Sequence, residues 1–329
     1  MSRWGAAVFV IFAASALAQE PAPTYVLHFG RTGPSPGMML SPFGVCTDDA
    51  GFVYVAELGG DRVQKWTTTG DYVTRWGGAG ASPGLLEQPT DVALDALGNV
   101  WVSDRANHRL QCFSREGTFL AAFGGPGSAP GEFLSPSGLT VDAGHLFVAD
   151  TYNFRIQKLV IHGTTLAPVL SFGSFGPEPG QFLELQDVGI DSEGRIYTTD
   201  ARSKCVQIFA PDGRFLERFD RLGPTGRLSY PFGICLDAHD NIYVSEPYQR
   251  NIVKFTKNGD WILTWGTTSS IKTERLHRPL RMWIDAGGLL FVADYDDTQH
   301  ADRIIVWRPS DAPTPVRRQS WGDLKRAFR

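Results

Sequence analysis

Short apolar runs of four to six residues alternate along this chain with polar turns built from Gly, Asp, Asn and Pro. Between positions 90 and 123 the runs are 90–94, 99–103, 109–113 and 118–123. The turns between them are Asp95-Ala-Leu-Gly98, the loop from Asp104 to His108, and Arg115-Glu-Gly117. Runs this short, bounded by turn residues, predict four strands of an antiparallel meander. The whole pattern then recurs. A phrase P-x-G-[VIL]-x-x-D, an apolar run, an acidic residue and R-[VIL]-Q start again at Pro42, Pro89, Pro136, Leu185, Pro231 and Pro279. A period of about 47 residues is the mark of stacked supersecondary units.

A four-stranded meander repeated around an axis is a β-propeller blade. The expected fold is all-β: a six-bladed propeller of four-stranded antiparallel blades over residues 24–308. Length alone would suggest two domains, but six repeats fill nearly all 329 residues, so one domain is expected. Links such as Gly33-Pro-Ser-Pro-Gly37 and Gly80-Ala-Ser-Pro-Gly84 join the repeats, and the Met, Leu or Phe that follows each should plug the gap between sheets. Repeat 6 has only three strands before Pro309, Pro313 and Pro315 stop it. Its fourth lies at the other end: Tyr25-Val-Leu-His-Phe-Gly30 matches the fourth strands Tyr72–Gly77 and Trp261–Gly266. The N-terminal strand should therefore complete the last blade and remove an open sheet edge.

Val102-Ser-Asp104, Asn107-His108-Arg109-Leu-Gln111 and Val148-Ala-Asp150-Thr-Tyr-Asn153-Phe-Arg155-Ile-Gln157 resemble the NHL-repeat signature, over roughly residues 25 to 307. The resemblance implies a six-bladed propeller. It does not fix a function, because the family includes protein- and RNA-binding modules, receptor sensor domains and a few enzymes. Function must come from the site.

The acid closing strand two (Glu57, Asp104, Asp150, Asp200, Glu246, Asp294) and the Arg opening strand three (Arg62, Arg109, Arg155, Arg303) flank one loop, so they are expected to pair across it and pin the blade. Departures from the rule are the more telling places. Repeat 4 has Cys205 in the Arg position beside Lys204 and Arg202, repeat 5 has Asn251 after Arg250, and repeat 6 has the insertion from Tyr295 to Asp302. Either the displaced cations face a ligand or the repeat has drifted. Arg105, His108, Tyr152, Arg202, Lys204, Tyr248, Arg250 and His300 are the candidate ligand-binding residues on the face of the strand 2–3 loops. Phe43, Asp91, Ser137, Asp187, Phe232 and Arg281 should line the channel mouth nearby. Rings mixed with both charge signs suit a protein or a polar ligand such as a peptide or carbohydrate. A monomeric, non-catalytic binding scaffold is the expectation.

Two enzymatic alternatives follow from the resemblance. Peptidyl-α-hydroxyglycine α-amidating lyase holds zinc on histidines that follow the Pro opening strand one. The corresponding residues here are Phe43, Thr90, Ser137, Gln186, Phe232 and Leu280, none of them His. Only His108, His277 and His300 would share the channel face, and a three-His zinc site needs ligands within about 2.0–2.1 Å of one ion. Lactonase-like propellers hold calcium on channel carboxylates. Asp91, Asp187, Asp296 and Asp297 are the candidates, although calcium wants about six to eight oxygens. A metal-dependent lyase or hydrolase therefore stands as the alternative, with calcium or zinc in the channel. No Ser/His/Asp spacing, nucleophile elbow or phosphate loop is present.

Composition narrows the setting. A formal charge of −4 lacks the one-signed field a nucleic acid would want. Arg3, an apolar run from Trp4 to Leu17, and Ala16-Leu17-Ala18 read as a signal peptide over residues 1–18, cleaved near Ala18, so a secreted or periplasmic protein is expected. No other segment is apolar enough for a membrane span. Export permits disulfides, but Cys46, Cys112, Cys205 and Cys235 fall in repeats that are not neighbours and are expected as buried thiols. Residues 309–329 form a basic tail in which Trp321, Leu324 and Phe328 have helical spacing.

Overall fold

A computed structural model describes residues 20–267, 274–296 and 302–310. Six four-stranded antiparallel sheets make six blades. Blade 1 runs Pro42–Thr47, Phe52–Glu57, Arg62–Thr67 and Tyr72–Gly77. Blade 2 runs Pro89–Leu94, Val100–Asp104, Arg109–Phe113 and Phe119–Phe123. The first strand of each blade packs against the first strands of its two neighbours, so these six form a closed inner ring.

The strand patterns follow from that layering. Val100–Asp104 is the second strand and is buried on both faces, which is why its apolar residues Val100, Trp101 and Val102 are consecutive rather than alternating. Phe119–Phe123 is the outermost strand and alternates half-buried with exposed residues, one face on the next blade and one in water. Met39, Leu86, Phe133 and Phe182, each following an inter-blade link, are fully buried. Leu86 packs with Val63 and Ala56 of blade 1 and Val92 and Val102 of blade 2, which is the plug the links imply.

The ring closes as the sequence indicates. Thr24–Phe29 joins Arg303–Arg308 in the sheet that also holds Pro279–Ile284 and Leu290–Asp294. Tyr25 pairs with Trp307 and Phe29 with Ile304. The Lys254 ammonium, buried in blade 5, meets the Glu20 carboxylate at 2.8 Å just ahead of this seam.

Two features depart from the repeat. The first strand of blade 5 begins at Ile234 rather than Pro231. Gly233 N–H there donates to Ser245 Oγ instead of entering the ladder. A small hairpin, Arg221–Leu222 with Gly226–Arg227, is inserted in the link between blades 4 and 5. All four cysteines are buried and unpaired. Among the described residues no helix is long and apolar enough to cross a membrane. The signal segment 1–18, Asp297, His300 and residues 311–329 of the tail lie outside the described residues.

Candidate functional site

The acid–arginine pairs are brackets. In blade 3, Asp150 accepts from Arg155 Nε at 2.8 Å, from Gln157 Nε2 at 3.1 Å and from the Leu134 backbone N–H at 2.7 Å. Arg155 then donates to the carbonyls of Ser128, Ala129 and Glu132. Blades 1 and 2 repeat this with Glu57–Arg62 and Asp104–Arg109. Each bracket ties the incoming inter-blade link to its blade as well as pinning the loop. Blades 4 and 5 lack the arginine. There Asp200 takes Ser203 and two backbone N–H groups, and Glu246 takes the N–H groups of Ser229 and Tyr230.

The sequence-derived binding residues lie on the loops of that face but do not gather. His108 has φ +56°, which turns its ring back so that Nδ1 accepts the Ser135 N–H at 3.0 Å. His108 thus braces the next link, as Asp61 does in blade 1 by accepting the Gln88 N–H. Lys204 and Arg250 share that left-handed backbone position and are exposed. Arg202 and Tyr152 are exposed, and Arg105 is half-buried. Tyr248 lines a cavity on this face.

The channel centre is closed by charge. Arg281 of blade 6 is 1% exposed and reaches across the axis. Its Nε lies 3.1 Å from Asp91 and 3.4 Å from Asp187. Its terminal nitrogens donate to Thr90 O, Ser137 Oγ and Gln186 O. Asp91 also accepts the Leu139 N–H and Asp187 the Ile234 N–H, each from the following blade. Three side chains thereby link blades 2 to 6 at the hub. Burial, with Asp187 adding and Arg281 opposing, pushes the Asp91 carboxyl up to about 7. Burial likewise raises Asp187. The signal for this hub stands in the sequence. Repeats 2, 4 and 6 carry Asp91, Asp187 and Arg281 at the second residue after the opening Pro or Leu, where repeats 1, 3 and 5 carry Gly44, Gly138 and Gly233. A Cβ on Gly138 would stand 2.1 Å from Asp187 Oδ1, so the glycines make room for the charges.

Above the hub, between blades 5, 6 and 1, a cavity of about 220 Å3 opens on the strand 2–3 loop face. Phe43, Phe232 and Leu280 form its floor, and Tyr230, Tyr248, Tyr295 and Arg278 its wall. The rings are ordered by one another: Phe43 and Phe232 sit edge to face at 5.4 Å, Tyr230 and Tyr248 at 4.7 Å. The Arg278 guanidinium lies 5.3 Å from the Tyr248 ring and 5.6 Å from that of Tyr295. The Arg281 guanidinium lies 5.2 Å from Phe43 and 5.6 Å from Phe232. Tyr230 donates its hydroxyl to Glu184, and burial together with that bond raises its ionisation range. Tyr230 and Arg278 escaped the sequence reading although both stand one residue before the opening Pro, because Ser41, Gln88, Ser135 and Glu184 fill that position in the other repeats and share no residue type with them. Beneath the hub a second cavity of about 150 Å3 is lined by Asp91, Asp142, Asp187, Cys235, Arg281 and aliphatic side chains.

The candidate metal ligands do not fit a dication at the axis. Asp91 and Asp187 converge there, but a fixed guanidinium lies between them and every one of their oxygens already accepts a backbone N–H. His277 stands 3.4 Å from Asp294 and 3.7 Å from Asp296, and Asp294 is already paired with Arg303. Among the described residues no group of three or more His, Cys, Asp or Glu side chains is placed to hold a metal.

The comparisons with known proteins agree with this architecture. The model of the NHL repeat matches residues 86–113 and 133–159, which hold the ends of the links and the first three strands of blades 2 and 3, the third strand of blade 3 in part. The Drosophila melanogaster protein brain tumor is 26% identical over 141 residues, which is 42% of this chain and 12% of that protein. Among solved structures, virginiamycin B lyase from Staphylococcus aureus superposes with a TM-score of 0.58 at 14% identity, covering 82% of this chain and 94% of the lyase. A gluconolactonase from Xanthomonas campestris superposes with a TM-score of 0.60 at 15% identity, covering 89% and 99%. At such identities the likeness carries the fold. The chain is a six-bladed β-propeller that carries NHL repeats.

Proposed function

We propose that this propeller is an exported binding protein whose ligand, a peptide segment or a small polar molecule with an apolar part, seats in the aromatic bowl between blades 5, 6 and 1. The observation that carries the reading is the exposure of Tyr248, 60%, at the rim of a cavity whose other rings are ordered. An aromatic side chain held half out of a concave apolar site is a recognition feature, because covering it adds apolar burial at little entropic cost. The carboxylate oxygens of the hub below the bowl are all engaged within the protein.

The test is capture of ligands from the growth medium or periplasm on wild-type protein and on Tyr248→Ala. A ligand retained by the wild type and lost by the variant is expected. A ligand held equally by both, and lost instead on charge reversal of Arg202 and Arg250, overturns the seat and returns the site to blades 4 and 5.

The alternative, a metal-dependent lyase or hydrolase in the same mouth, draws on the activities named for the S. aureus and X. campestris structures. Its nearest counterpart on this face is His277 with Asp296. Stoichiometric calcium or zinc in purified protein, lost on His277→Ala, would favour it.

A further inference from the structure

We propose that the bowl selects an aromatic ring joined to a carboxylate, an inference that rests on the bowl being the ligand seat. Three comparisons lead there. A dry cavity of about 150 Å3 lined by Leu, Ile and Phe holds a benzene. The bowl, at about 220 Å3, has room for a phenyl ring and a few further atoms. Half of its lining, Phe43, Phe232, Leu58, Pro247 and Leu280, has no side-chain donor or acceptor, and the polar groups are those of Ser41, the three tyrosines and Arg278. A sugar ring pressed on that floor would strand hydroxyls at about 1–3 kcal/mol each. An apolar ring strands nothing.

The charge of the ligand follows from which cations the rings already face. An aromatic cage attracts a ligand cation through ring quadrupoles. Here four of the five rings are already engaged: Tyr248 and Tyr295 by Arg278, Phe43 and Phe232 by Arg281. Arg281 is balanced by Asp91 and Asp187, so the charge that decides is Arg278: a third cation would be repelled by it, whereas a carboxylate meets its favourable field. Arg278 stands at the rim. A guanidinium has five N–H donors and can serve more than one acceptor, so its contacts within the protein leave it competent to hold a carboxylate edge. The Tyr hydroxyls supply further donors. A C-terminal aromatic residue of a peptide and a free arylalkyl carboxylate present this same chemistry.

The experiment is calorimetric titration of the intact protein with N-acetylphenylalanine, its amide, phenethylammonium, glucuronate, 3-phenylpropanoate and a pentapeptide ending in Phe. N-acetylphenylalanine should bind about tenfold tighter than the amide, the scale of one charge-assisted hydrogen bond. Phenethylammonium and glucuronate should give no binding heat. Arg278→Gln should bring the acid down to the level of the amide while leaving the amide unchanged. Tighter binding of the pentapeptide than of 3-phenylpropanoate identifies a peptide end as the source, and the reverse a free acid. Equal affinity for acid and amide in the wild type, or tightest binding of the ammonium, overturns the proposal. If Tyr248→Ala still abolishes that equal binding, the seat stands and only its selectivity falls. Absence of binding by every probe overturns the selectivity. Retention of the captured native ligand by Tyr248→Ala would overturn the seat as well.

Discussion

The hub and the bowl share Arg281 and differ in almost everything else. In the hub, Asp91 and Asp187 are 4% and 3% exposed, and each carboxylate oxygen has a backbone N–H partner. In the bowl, rings meet rings, and Tyr248 and Arg278 reach toward solvent. Saturated polar chemistry at the centre marks a structural clamp, and open aromatic chemistry above it marks a surface available to a partner. The same guanidinium serves the clamp with its nitrogens and the bowl floor with its face.

The comparison can be broken most severely at the seam that both regions depend on. Deleting residues 24–29 removes one strand of blade 6, strands the edge of Arg303–Arg308, and should leave aggregated or unfolded protein by circular dichroism and size exclusion. A soluble truncation of unchanged melting temperature would refute closure.

Arg281→Met comes next, because it leaves two buried carboxylates without their cation. Breaking such a set costs about 3–5 kcal/mol, measured by denaturant titration. Adding Asp91→Asn and Asp187→Asn should recover part of that loss, whereas independent effects would simply accumulate. In the same assay Arg155→Gln, which releases Asp150 and three link carbonyls, should cost about 1–3 kcal/mol. Exposed Arg202→Gln should stay within about 0.5 kcal/mol.

The hub should also respond to pH. Burial, with Arg281 opposing and Asp187 adding, pushes the Asp91 carboxyl up to about 7 from the usual 3.8, so the folded state binds the extra proton between those values. Its contribution is full below about pH 4 and falls away as pH rises through 7. The urea midpoint of the wild type relative to that of Asp91→Asn should therefore fall as pH rises from about 4 toward neutral. A difference independent of pH would contradict the assignment. The smallest stability effect belongs to Tyr248→Ala, within about 0.5 kcal/mol, despite its loss of ligand.

The blades and the seam were legible because they rest on local patterns repeated six times, and Tyr25–Gly30 is a recognisable fourth strand out of place. The hub was half legible. Asp91, Asp187 and Arg281 were placed at the channel mouth, but their closure on one another spans 94 residues between Asp187 and Arg281. What announces it is the alternation of glycine with charge at every second repeat, a period of two blades rather than one. His108 has a structural contact the sequence did not announce: its positive φ points the ring at Ser135, and nothing in the residue type says so. The bowl was the least legible: Phe43, Phe232, Tyr248 and Tyr295 were each noticed, but nothing in the repeat gathered them with Tyr230 and Arg278 into one cavity.

Hydrogen exchange of the ligand-bound against the free protein tests the seat most directly. Protection is expected at residues 229–232, 246–249, 278–281 and 293–296, which carry the bowl. Protection confined to residues 105–108, 152–155 and 202–205 would contradict it and move recognition to the loops of blades 2 to 4.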